Sequence, residues 1–146
     1  MTDRSFVEQN VAATARLQTL IDRLTDDDLA RPVGHGWTMS AALAHLGFWE
    51  QRALVLLERW TREGTVTPSP ADADVINDAS LPHWLALPPR TATAQLLDAV
   101  HAVNEALANA DDAMIDAIQA TPDTIIVHRW HHRTEHLDEI ERVLAG

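Results

Sequence analysis

Eight histidines lie in a chain that has no cysteine and no tyrosine. Without cysteine there is no thiolate ligand, disulfide, iron–sulfur cluster or cysteine nucleophile. Any metal chemistry therefore falls to imidazole and carboxylate. The densest group of histidines is C-terminal: Val127-His128-Arg129-Trp130-His131-His132-Arg133-Thr134-Glu135-His136-Leu137. His132 and His136 are four apart, as are His128 and His132, and on a helix residues at that spacing stack on one face. Two such rings can share one cation. At about 100° per residue, Ile126, Trp130, Leu137, Ile140, Val143 and Leu144 form an apolar stripe. His136 lies about 50° from its centre, His132 about 90°, His128 about 130°, and His131 points nearly opposite. The wheel favours His132 with His136 as the inward pair, with His128 and His132 as the other registration.

A third imidazole is offered by His45, in Leu43-Ala44-His45-Leu46-Gly47-Phe48-Trp49-Glu50, again at the margin of an apolar helical face. Three neutral imidazoles would leave coordination positions open for water or substrate, as catalytic sites do and closed structural sites do not. Glu50 is a candidate to orient a ligand or serve as a base, against the plainer expectation of a solvated or salt-bridged carboxylate. Arg133 is a candidate anchor for an anionic substrate, or else a surface partner of an acid. Trp37, Trp49 and Trp84 are either pocket walls or ordinary core aromatics. Gly47, with Ala41, Ala42 and Ala44, allows another element to approach closely. His132-Arg133-Thr134-Glu135-His136 also fits the H-x-x-E-H pattern of inverted zinc metalloproteases. Those are much larger enzymes with a distant third acidic ligand. No phosphate-cradling glycine loop, dinucleotide fingerprint or nucleophile elbow is present.

These residues need helices to position them. The 146 residues, 46% hydrophobic, suit one domain, 1–146, with its own core. Apolar positions from Phe6 to Leu24 recur with helical spacing. Thr25 followed by three aspartates starts a short helix, and Arg31 to Gly36 breaks it. A second long helix opens near Trp37, capped by Thr38 or Ser40, and ends at Gly64. The stretch from Thr65 to Arg90 holds five of the seven prolines. It is too long to be featureless, so one or two helical turns and an aromatic plug, Trp84, are expected there. Thr91 is the expected cap of a third helix, and Ala108 to Ile118 either extends it or forms a separate turn. Thr121-Pro122-Asp123 has the form of a helix start, from which a fourth helix would run to about Ala145. The expected fold is all-α: a four-helix bundle with a long crossover between helices two and three.

Charge narrows the partners. Eleven Lys and Arg face 22 Asp and Glu, a formal net charge of −11. Such a chain repels phosphate backbones and anionic membrane surfaces, so neither nucleic acid nor membrane is an expected partner. The start of the chain has no signal-peptide pattern, and no run reaches the ~20 apolar residues of a span. A cytoplasmic location is expected.

Trp37-Thr38-Met39-Ser40-Ala41-Ala42-Leu43-Ala44-His45-Leu46, then Trp49-Glu50, and the terminal His132-x-x-x-His136-Leu137-x-Glu139-Ile140 together resemble the DinB-like superfamily. That group includes DNA-damage-inducible proteins, thiol-dependent S-transferases and mycothiol-dependent maleylpyruvate isomerases. The resemblance implies a four-helix bundle and a divalent metal, nickel or zinc, held by His45, His132 and His136. It also implies a homodimer. A metal-dependent enzyme follows as the expectation, with a low-molecular-weight thiol as cosubstrate and a small molecule as substrate. The cation would activate a thiol or water for transfer or isomerisation. The alternative is a non-catalytic, metal-stabilised binding or stress-response bundle.

Overall fold

The computed structural model describes residues 1–146. Seven α-helices carry the chain: α1 (Phe6–Arg23), α2 (Asp26–Leu29), α3 (Met39–Glu63), α4 (Ala73–Ala86), α5 (Pro89–Asn109), α6 (Asp112–Gln119) and α7 (Trp130–Ala145). None is long and apolar enough to cross a membrane. The longest, α3, packs along α5, and α1 packs on both α5 and α7, while α7 returns to α3. The four long helices thus contact one another in a closed ring. The α3–α5 pair is the tightest. A Cβ built on Gly47 would stand 3.3 Å from the Leu96 Cα, so a side chain there would require the two helices to part by a few tenths of an ångström.

Local chemistry accounts for most helix ends. Thr25 makes a reciprocal capping box with Asp28 at the start of α2. The Thr38 hydroxyl accepts from the Ala41 N–H at 3.0 Å and caps α3. Gly64, at φ 70°, ends α3 in the left-handed conformation. Residues 39–47 of α3 are all buried, because other elements surround that end of the helix. The break after α2 is a small antiparallel ribbon, β1 (Pro32–Gly34) with β2 (Trp37–Thr38), turning through Gly34, His35 and Gly36, all at positive φ. It delivers Trp37 to the first turn of α3.

Several expectations need correction. The Thr65–Arg90 crossover is more than isolated turns: α4 is a continuous helix of 14 residues, capped by Asp72 and holding Pro82 within it. Trp84 is indeed its one buried side chain. Thr91 does not cap α5. That helix begins two residues earlier, with Pro89 at its first position. The stretch after Ala108 resolves into a separate helix, α6, whose cap Asp111 accepts from the Met114 N–H at 2.8 Å. Val11, one of the apolar positions between Phe6 and Leu24, faces outward and is 54% exposed.

The largest departure is at the last helix. Thr121-Pro122-Asp123 yields only a 3₁₀ turn, Thr124–Ile126, and α7 starts at Trp130. Asn10, buried in α1, explains the break. Its Nδ2 donates to the Val127 carbonyl at 2.8 Å, and its Oδ1 accepts from the Trp130 N–H at 2.9 Å. A side chain from another helix thereby takes the role of cap. His128 falls before α7, so it does not stack with His132 on a helical face.

Candidate metal centre

Two large apolar clusters fill most of the interior, and a small third one holds Trp84. One gathers Leu17, Leu20, Leu43, Leu46, Leu96, Leu137 and Ile140; the other gathers Phe6, Leu56, Leu57, Trp60, Val103, Ile126 and Val127. Between them in sequence lie polar residues: Asn10 and Thr14 on α1, Glu50 on α3, Arg129 just before α7 and Arg133 within it. Glu50 and Arg133 are both fully buried. Arg129 Nε donates to Glu50 Oε2 at 2.7 Å, and Arg133 donates to Oε1 through Nε, at 3.0 Å, and through Nη2. Arg133 Nη1 reaches Asn104 Oδ1, Thr14 Oγ1 and the Asn10 carbonyl at 2.8–3.0 Å. Burial pulls the Arg133 pKa below its ordinary value, and Glu50 opposes that pull. This polar layer ties α7 to α3, and so sets where the α7 histidines stand relative to His45.

Glu50 meets the salt-bridged half of its plainer expectation, whereas Arg133 departs from both of its readings. Glu50 is salt-bridged but not solvated. Arg133 is neither a surface residue nor free to take a substrate. The sequence held a sign of this: at about 100° per residue Arg133 falls within about 30° of the centre of the α7 apolar stripe. A cation there must find a buried carboxylate.

Against this layer the three candidate histidines converge. His45 Nε2 lies 3.2 Å from His132 Nε2, which lies 3.1 Å from His136 Nε2. One ligand atom from each ring can be chosen within 4.8 Å of the others, so the three can hold a metal ion. His45 is 5% exposed, and His132 and His136 are half-buried. Burial drives the His45 pKa down to about 3, assisted by the charge of His136. Burial also takes His132 to about 2, helped by His136 and Arg129, and lowers His136. All three rings are neutral at pH 7, the state in which imidazole binds a cation. The donor set fits a divalent ion of borderline softness. The Nδ1 atoms of His45 and His136 are buried without hydrogen-bond partners. Glu139 Oε1 stands 3.7 Å from His136 Nδ1, beyond bonding distance.

Aromatic packing fixes His45. Trp37 and Trp84 meet its ring edge-on, with centroids 4.9 and 5.2 Å away. Trp37 and Trp49, with Asn77, Ile125 and Arg129, line a cavity of about 530 Å³ that the three histidines share. Trp49 Nε1 donates to Asn77 Oδ1 at 2.9 Å, which ties α4 to the cavity wall. A larger cleft, about 710 Å³, lies along α3, α5 and α6, but no histidine lines it. His131 is exposed and stacks on Trp130. His128 packs edge-on against Phe6 and is outside the group. Glu135 is exposed at the cavity rim. Arg129 and Asn77, which line the cavity, were not singled out from the sequence. Neither belongs to a motif, and both acquire their place only by packing.

The family model described as mycothiol maleylpyruvate isomerase N-terminal domain matches residues 11–141. The chain belongs to this family. It is thus a DinB-like superfamily domain, as its Trp37–Glu50 and His132–Ile140 motifs suggested. Among curated proteins and solved structures, nothing matches. The matched stretch includes all three histidines and the whole polar layer except Asn10. The first turns of α1 and the end of α7 lie outside it.

Proposed function

We propose that this mycothiol maleylpyruvate isomerase N-terminal domain is a metal-dependent enzyme of small-molecule chemistry. His45, His132 and His136 are its ligands, and nickel or zinc is its cation. A low-molecular-weight thiol or water is the group it activates, for transfer or isomerisation. The observation that carries the reading is the convergence of three neutral Nε2 atoms, from α3 and α7, beside a cavity walled by tryptophans. Family membership supports thiol-related chemistry. We also read the ring of α1, α3, α5 and α7 as a single-domain four-helix bundle, residues 1–146, with α4 riding on the long crossover.

A divalent ion with open positions lowers the pKa of a bound water or thiol and stabilises the resulting anion. The chain's own residues supply the rest. Burial keeps the rings neutral, the charge state from which imidazole ligates. Trp37 and Trp84 hold the His45 plane, and the Glu50–Arg129–Arg133 layer holds α7 in register with α3. Trp37, Trp49 and Ile125 offer apolar surface to a small substrate and exclude water from one side. Asn77 and Arg52 supply polar contacts on the same wall.

Elemental analysis tests the reading. Purified protein should carry about one nickel or zinc per chain, and His45→Ala and His136→Ala should each abolish this. A chain that takes up no divalent ion, or variants that retain it, would remove the metal centre. In a cobalt-substituted sample, an added low-molecular-weight thiol should change the visible absorption bands. Unchanged bands, with no change in thermal stability, would favour a binding protein over an enzyme.

A further inference from the structure

The three candidate ligands differ on their outer side. A metal-binding histidine ordinarily donates its second ring N–H to a carbonyl or carboxylate. His136 has the Glu139 carboxylate at 3.7 Å from Nδ1, and His45 has no partner there. His132 instead faces a cation: Arg129 Nη2 stands 3.4 Å from its Nδ1. A guanidinium has five N–H donors and no acceptor. That guanidinium is held on two other sides, by Glu50 Oε2 at 2.7 Å from Nε and by the Ile125 carbonyl at 3.3 Å from Nη1. Arg129 is 3% exposed.

A ring nitrogen facing a donor must be an acceptor. In neutral His132 the proton therefore resides on Nε2. From there it points at two other nitrogens, His45 Nε2 at 3.2 Å and His136 Nε2 at 3.1 Å. Both must present lone pairs, so their protons reside on Nδ1. This is the one assignment compatible with every short contact: the single His132 N–H is shared between two acceptors, and the Nδ1–H groups of His45 and His136 stay buried without partners. It places the single N–H of the cluster's centre on His132.

We propose that Arg129 is a positioning residue that selects the tautomer of His132 and so makes this ring the conditional ligand of the three. His45 and His136 already present Nε2 lone pairs. His132 can offer its own only if its proton moves to Nδ1, where the Arg129 N–H already points. Ligation by all three rings thus requires Arg129 to turn its Nη2 away from His132. The site is built to hold two ligands ready and to add the third when Arg129 yields. The role of Arg129 toward the cation rests on the metal-centre reading above; the tautomer assignment concerns the metal-free chain alone.

Two-bond ¹H–¹⁵N correlation spectra of the metal-free protein at pH 7.5 test the tautomer assignment directly. His132 is expected as the Nε2–H form, with His45 and His136 as the rarer Nδ1–H form. An Nδ1–H His132 would overturn the proposal whether or not the protein binds metal. Chelator competition with Zn²⁺ tests the consequence. Arg129→Gln, whose amide oxygen can accept from Nδ1–H, should bind about tenfold more tightly than the natural chain. Arg129→Lys, still a cationic donor, should stay near it. Both variants lose the forked guanidinium, so the contrast between them separates the donor's effect from general loosening. Equal affinities for the two variants, or weaker binding by Arg129→Gln, would overturn the proposal. Retention of full metal by His132→Ala would instead refute the ligand assignment and leave the tautomer result standing.

Discussion

Two polar clusters bridge α3 and α7, one fully buried and one half-buried, and they are built on opposite terms. In the Glu50–Arg129–Arg133 layer both carboxylate oxygens are occupied, and Arg133 is answered by acceptors from α1, α3 and α5. In the His45–His132–His136 group the nitrogens face one another, and two Nδ1 atoms have no partner. A fully satisfied cluster rigidifies a core and specifies its register. A cluster with orphaned nitrogens needs another explanation, and the proposed metal centre supplies one. Here the first cluster positions the second, with Arg129 belonging to both.

Perturbing each cluster separately should reveal this division. The largest effect is expected from Glu50→Gln, which strands two buried guanidiniums. Urea unfolding should show a loss of about 3–5 kcal/mol. A loss below about 1 kcal/mol would mean that the layer does not hold the helices together.

Acid should expose the second cluster next. Free histidine titrates near 6.5, whereas burial holds His45 at about 3 and His132 at about 2. Below 6.5 the unfolded chain takes up protons that the folded chain refuses. Stability of the metal-free protein is thus whole above about pH 6.5 and declines as pH falls toward 3, with a slope approaching two protons. Thermal melts between pH 7.5 and 4.5 measure this. A His45→Gln, His132→Gln double variant should flatten most of the slope.

Gly47→Ala is a control outside both clusters. The added methyl meets the Leu96 backbone, so a cost of about 1–3 kcal/mol is expected in the same unfolding assay. The smallest effect belongs to His136→Gln. In the metal-free protein it should change stability by less than about 1 kcal/mol, because the lost ring has an Nδ1 without a hydrogen-bond partner. If His136→Gln destabilised the metal-free fold as much as Glu50→Gln, the contrast between a structural and a functional cluster would fail.

Periodicity and capping chemistry made much of the helical order legible. Thr25, Thr38 and Gly64 mark boundaries where the sequence indicates them, since a cap acts within one turn of chain. The start of α7 was not legible. Its cap is Asn10, which lies 120 residues away along the chain. A proline at a good helix-start position loses to that contact because a buried carbonyl and a part-buried N–H must be satisfied there. The crossover helix α4 was half legible: Trp84 stood out as a plug, whereas a helix that buries little else leaves a weak apolar pattern.

The candidate site divides in the same way. Spacing on single helices brought out His45, His132 and His136, because a wheel needs only the rotation per residue. It also ranked His136 and His132 ahead of His131 as the inward rings. Whether two helix edges face each other depends on crossing angle, depth and register, which arise from packing along their whole length. Only the folded chain therefore brings His45 to His132, turns Arg133 inward onto Glu50, and sets the Arg129 guanidinium against a ring nitrogen. Local chemistry in the sequence specifies which groups are able to act. The assembled core specifies which of them meet, because burial makes every unpaired charge and donor find its partner across the chain.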